Sequence, residues 1–171
     1  MRPQPGTHPD YYLHYIGLVG SGNILDALEE NKLLLISTIA SIPEASADFA
    51  YAEGKWTIKQ LLQHIADTER ILAVRALRFA RRDQQINPSF DEDQYAAAAN
   101  VAVKGIEDLM DELLAIREAT RLLFKPLSDE ELLRSGETTV GKTTVIALGY
   151  MICGHSTHHL KVLRERYLKG L

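Results

Sequence analysis

The chain has 171 residues, of which 46% are apolar and 25% charged, and a formal net charge of −4. That is enough for one soluble domain with a substantial core, and the acidic balance argues against a nucleic-acid-binding face. No apolar run approaches the roughly 20 residues that span a bilayer, no signal-peptide core opens the chain, and one cysteine cannot form an internal disulfide, so a cytoplasmic protein without a membrane partner is expected.

Residues 1–9 contain Pro3, Pro5, Gly6 and Pro9 and read as a loose tail to a single domain over 1–171. The aromatic segment Asp10–Val19 predicts a helical turn or two docked across one end of the core. Gly20-Ser21-Gly22 reads as a hinge, and Asn23 can cap a first long helix over Ile24–Ser41. Leu28, Leu35 and Ile39 line one face of it, and Pro43 ends it. Thr57 can cap a second helix running to Arg82. Its inner stripe is Leu61, His64, Ile65, Thr68, Ile71, Leu72 and Arg75, and its outer face carries Lys59, Glu69, Arg78 and Arg82. Asn87-Pro88-Ser89 breaks the chain, and a short alanine-rich helical piece follows Phe90. A third long helix is expected over Gly105–Lys125, with Leu109, Leu113, Ile116, Thr120 and Leu123 on one face. Ser128-Asp129-Glu130-Glu131 is a capping box for a short helix. The loop Ser135–Lys142 leads to a last helix capped by Thr143 or Thr144, reaching Leu168, with Gly170 at its end. Only Thr138-Thr139-Val140 resembles a strand, and it is too short to build a sheet. Four long amphipathic helices predict an all-α four-helix bundle.

Three of the six histidines fall within Gly154-His155-Ser156-Thr157-His158-His159. His155 and His159, four apart, stack on one helix face. Val145, Leu148, Ile152 and Val162 share that face, so it points to the core. Buried imidazoles need partners. His64 on the second helix's inner stripe can meet them across the bundle. Three histidines and one open position form the pattern of a catalytic divalent ion. The competing reading is three core histidines bonded to backbone or buried water. Affinity for an ion should fall below about pH 6.5, where histidine protonates. His158 is rotated away from His159 and reads as a half-exposed residue. His8 and His14 read as surface or packing residues. Asp67, three residues after His64, is a candidate general base or a solvated carboxylate.

Gly136-Glu137-Thr138-Thr139-Val140-Gly141-Lys142-Thr143 matches the phosphate-binding P-loop spacing, but that mechanism needs a preceding buried strand and a parallel sheet. Neither is expected here. Ser156 stands where a zinc peptidase has its glutamate base. Cys153 lies well round the helix from His155 and reads as packing.

Gly54-Lys55-Trp56-Thr57 through Ile65-Ala66-Asp67-Thr68-Glu69-Arg70 resembles the second-helix signature of the DinB/YfiT-like metalloenzyme superfamily. Gly154-His155-Ser156-Thr157-His158-His159-Leu160 resembles its closing histidine motif, and Phe90-Asp91-Glu92-Asp93 and Tyr12–Val19 are similar to further family features. The resemblance implies an up-down-down-up bundle and a zinc or nickel ion held by His64, His155 and His159. It also implies a homodimer, and in some relatives a transferase using a low-molecular-weight thiol as cosubstrate. Tyr12, Phe90, Asp91 and Tyr95 are candidate walls for a small-molecule substrate. A metal-dependent thiol S-transferase is thus the first expectation and a metal-dependent hydrolase the second. A non-catalytic metal-binding protein and a bundle with structural histidines are the remaining alternatives.

Overall fold

In the computed structural model, residues 1–20 and 22–169 are described. Their helices are α1 (Tyr12–Gly17), α2 (Ile24–Ile39), α3 (Ile58–Ala80), α4 (Glu92–Ala98), α5 (Ile106–Phe124), α6 (Asp129–Leu133) and α7 (Val145–Val162). A two-stranded hairpin, β1 (Ser135–Thr138) and β2 (Gly141–Thr144), precedes α7, and a π-helical turn, Leu163–Tyr167, follows it. The caps expected of Asn23, Thr57 and Ser128 are in place, each side chain accepting from backbone N–H groups of the first helical turn. Ser21 of the expected hinge and Gly170 lie outside the described residues.

The long helices are α2, α3, α5 and α7. Helix α2 packs on α5 and α7, as does α3, so the consecutive helices α2 and α3 stand diagonally opposed. Cross-helix bonds fix the directions. Asn31 reaches Cys153 and Thr157, and Ser37, further along α2, accepts from Arg164 just past α7, so α2 and α7 run the same way. Gln63 bonds to Glu112 and Arg117 to Glu69, so α3 and α5 are also parallel. Glu44, just past α2, caps the start of α5, and Tyr167, just past α7, bonds to Trp56 just before α3. The order is up-down-down-up.

Two apolar clusters fill the bundle. One holds Leu28, Leu72, Phe79, Phe124 and Leu148; the other holds Leu35, Leu61, Leu62, Leu109 and Leu160. A polar layer joins all four long helices. Arg117 is 1% exposed and grips the Glu69 carboxylate with two bonds of 2.9 and 2.8 Å. It also donates to Asn31 at 2.6 Å, and Asn31 in turn donates to the Cys153 carbonyl. Burial penalises the Arg117 charge, but Glu69 beside it outweighs this, and its pKa is raised. Burial pushes the Cys153 thiol up to about 12, which leaves it an inert packing group.

Several expectations are corrected. Glu69 and Lys59 are buried rather than on a solvated outer face, each with an ionic partner. The inner stripe of α5 runs through Leu113, Arg117, Thr120 and Phe124, one position on from Ile116 and Leu123. The loop before α7 is an antiparallel hairpin, and Thr138 closes its turn on the Gly141 carbonyl. The P-loop spacing therefore falls on that hairpin, with α6 before it and no parallel sheet among the described residues. Residues 1–9 are docked. Arg2 donates to the carbonyls of Ile16 in α1 and of Val19 just past it, and the Thr7 carbonyl accepts from Thr144 of β2.

Helix α1 lies on α7 because Gly154 lets the two backbones touch. A Cβ there would sit 2.0 Å from the Tyr15 carbonyl oxygen. Gly154→Ala is expected to push α1 off α7 and to lower stability by about 1–3 kcal/mol, the range for overpacking. Thermal unfolding and faster proteolysis near Tyr11–Leu18 would show it; an unchanged midpoint would mean that α1 is not held by this contact.

Candidate metal centre

Helix α3 supplies His64, and α7 supplies His155 and His159. Periodicity puts the latter two on one face, and the antiparallel crossing of α3 brings His64 opposite. The His64 Nε2 lies 3.0 Å from the His155 Nε2, which lies 3.1 Å from that of His159. The ligand atoms of all three lie within 4.8 Å of one another. A neutral imidazole nitrogen carries either one proton or one in-plane lone pair. His155 Nε2 therefore cannot bond well to both neighbours at once. Three lone pairs aimed at one cation remove the conflict. Tetrahedral Zn–N bonds of about 2.0–2.1 Å imply N···N separations of about 3.3–3.4 Å, a few tenths of an ångström wider than these. The donor set fits a divalent ion with small side-chain adjustment.

Burial also prepares the lone pairs. It lowers the His64 pKa to about 4, although Asp67 and Asp93 pull the other way. It lowers His159 to about 3, helped by charge on His64 and His158. His155 lies well below its ordinary value, again mainly through burial. All three are neutral at pH 7. Because the native state holds fewer protons than the unfolded chain, stability without metal is full above about pH 6.5 and declines as pH falls towards 4. Ion retention by the folded protein should consequently persist below pH 6.5 and fail near pH 4, which revises the expectation from an ordinary histidine. Dialysis at stepped pH followed by elemental analysis would check this; release centred at 6.5 would contradict it.

A cavity of about 240 Å³ opens beside the three rings. Tyr12 and Phe90 line it, together with Tyr15, Trp56, Thr68 and Arg75. Asp91 does not line it; its carboxylate caps α4 by accepting from Gln94. Tyr95 packs on Phe90 at 5.1 Å and faces a neighbouring groove. Asp67 is engaged by Gln63 and Arg70, away from the cavity. His158 is half-buried and pairs with His14 at 3.3 Å. His8 is buried and stacked against Tyr12. Trp56, Thr68 and Met151 were not anticipated as walls. The signal was present: Thr68 follows His64 by one helical turn, and Met151 precedes His155 by one. Trp56 stands before a helix start, where periodicity says nothing; its ring lies 4.7 Å from that of His64.

An up-down-down-up bundle with three histidines converging from two of its helices defines a class of α-helical candidate metalloproteins. The family model of the DinB superfamily matches residues 27–163. The chain belongs to the DinB superfamily. It is 29% identical over 138 residues to a protein of Oceanobacillus iheyensis provisionally named a metal-dependent hydrolase, a match covering 80% of this chain and 79% of that one. A Geobacillus thermodenitrificans protein with the same provisional name is 24% identical over 147 residues, covering 84% of this chain and 83% of its own. Among solved structures, YfiT of Bacillus subtilis, described as a four-helix bundle of unusual topology, superposes with a TM-score of 0.76 at 18% identity. That match covers 99% of this chain and 93% of YfiT.

Proposed function

We propose that the chain is a metal-dependent enzyme for a small-molecule substrate, with His64, His155 and His159 holding a divalent ion such as zinc or nickel. The supporting observation is the convergence of three Nε2 atoms beside an aromatic cavity. An ion there, with three neutral nitrogen ligands and an open position, supplies Lewis acidity that brings the pKa of a bound water or thiol towards neutrality. The chain's residues do the rest. Tyr15, Trp56 and Phe90 wall the cavity with apolar surface, which limits bulk water around the reacting group. The relatives' names support hydrolysis, with water as nucleophile.

A second observation supports thiol transfer. Another cavity, of about 380 Å³, lies on the far side of His159 and is lined by Lys55, Asp93, His158 and Tyr167. The two cavities share Trp56, Glu92 and His159. Two chambers meeting at one histidine suit two reactants, an electrophile and a low-molecular-weight thiol. The family resemblance supports a cytoplasmic homodimer as the working form.

The test is to load the protein with zinc or nickel and assay a nitrophenyl ester and a chloronitroaromatic electrophile, each with and without a small thiol. Ester turnover independent of thiol selects hydrolysis, and metal- and thiol-dependent conjugation selects transfer. A stoichiometric ion with neither activity leaves a binding protein. Absence of any stoichiometric ion overturns the reading.

A further inference from the structure

The cavity beside the histidines contains donors without acceptors. Tyr12 is 0% exposed and Thr68 is 5% exposed; the Thr68 hydroxyl has no hydrogen-bond partner among the described residues, and the Tyr12 hydroxyl has Tyr11 and Arg75 near it but makes no bond of good geometry with either. Both side chains line the cavity. Buried hydroxyls are normally satisfied, so two orphans in one chamber call for a ligand. Arg75, 7% exposed, lines the same wall. Its guanidinium donates to the Pro88 carbonyl and forms no ion pair among the described residues. A buried guanidinium usually has a carboxylate or phosphate against it. Burial raises the pKa of the Tyr12 phenol, which keeps it a donor, and the positive Arg75 is near enough to pull the other way.

Thr68 and Arg75 lie about one and three turns along α3 from His64, and Tyr12 faces them from α1. The missing complement to these three donors is a compact acceptor carrying negative charge. Glu92 is the one carboxylate among the lining residues, and it is exposed and shared with the neighbouring cavity.

We propose that the chamber beside His64, His155 and His159 takes its substrate by an oxyanion group, a carboxylate or a phosphonate-like phosphoryl group, held by Arg75, Tyr12 and Thr68. This rests on the reading of the chamber as a substrate site but not on the presence of an ion. At about 240 Å³ it lies below the roughly 300–1,000 Å³ of pockets for drug-sized ligands, so the ligand is small.

The test uses metal-free full-length protein, so that coordination of the anion to an ion cannot supply the signal. Trp56 is the only tryptophan and lines the chamber, and its fluorescence reports occupancy. Benzoate, phenylphosphonate and the neutral isostere benzamide are titrated in turn. One of the anions is expected to bind about tenfold or more tighter than benzamide, the difference a charge-assisted hydrogen bond provides. Whichever anion wins identifies the group. Arg75→Met should abolish the preference and Arg75→Lys should keep part of it. Tyr12→Phe, which removes one oxygen and leaves the Pro88 contact intact, should weaken the anion about tenfold, with helical circular dichroism unchanged. Glu92→Gln should tighten the anion, because it removes a like charge. Equal binding of benzamide and the anions, no binding of any of them, or an anion preference that survives both Arg75→Met and Tyr12→Phe would overturn the proposal. Failure of the protein to take up zinc would sink the metal reading while leaving this result standing.

Discussion

His64→Ala should lower zinc affinity by more than about 100-fold and leave the bundle folded. Three-histidine sites hold their ion only when all donors converge. His64 is the only contribution from α3, and without it the remaining pair on α7 offers two nitrogens 3.1 Å apart on one helix face. The altered side chain is small and lies at the cavity, so the fold loses little packing. Removing a buried imidazole that is costly to protonate should also make the metal-free protein more tolerant of acid, since His64 is held near pKa 4 by burial. His158→Ala is the matched control. That ring pairs with His14 rather than with the converging nitrogens, so metal content should be unchanged. Elemental analysis and calorimetric titration with zinc would measure both variants. Equal stoichiometry and affinity in wild type and His64→Ala would remove the basis for the metal centre.

Arg117→Met is expected to destabilise the protein by about 3–5 kcal/mol, as does removal of one partner from a buried ion pair elsewhere. The variant would strand the Glu69 carboxylate, 2% exposed, and leave Asn31 without its 2.6 Å donor. For a chain of this length each kcal/mol corresponds to about 2–4 °C in Tm, so a fall of about 6–20 °C should appear in a thermal scan. Changing both partners, Arg117→Met with Glu69→Leu, should recover much of the loss, because neither buried charge then lacks a counterion. A double variant as unstable as the single one would show that the layer stabilises through the bonds Arg117 donates to Asn31 and to the Leu28 carbonyl rather than through the ion pair.

How legible these features were follows from how local their causes are. Stacking of His155 over His159 depends only on the helical period, and the capping residues act within three positions of themselves. Both were readable. Arg117 was not, because its neighbour Ile116 is the natural core residue. A buried arginine becomes acceptable only once Glu69, 48 positions away, and Asn31 are placed against it. Glu69 read as solvated for the same reason. The hairpin Ser135–Thr144 lacks the alternating apolar pattern of a strand. Its pairing is sustained by the bundle end it packs on and by the Asn87 backbone that joins it. The proline-rich opening read as loose, although Arg2 and Thr7 fasten it to carbonyls and amides that exist only after α1 and the hairpin are in position.

By itself, the order of residues determined four amphipathic helices, where they start, and that His64, His155 and His159 lie on inward stripes, because periodicity and capping are short-range physics. Tertiary structure alone decided that α3 crosses α7 at the height where His64 meets His155. It also decided that Arg75, Tyr12 and Thr68 are turned into one chamber without acceptors, and that the four long helices are tied by one buried charged layer. Those outcomes depend on distances between segments far apart in sequence, which only the packing of the whole bundle fixes.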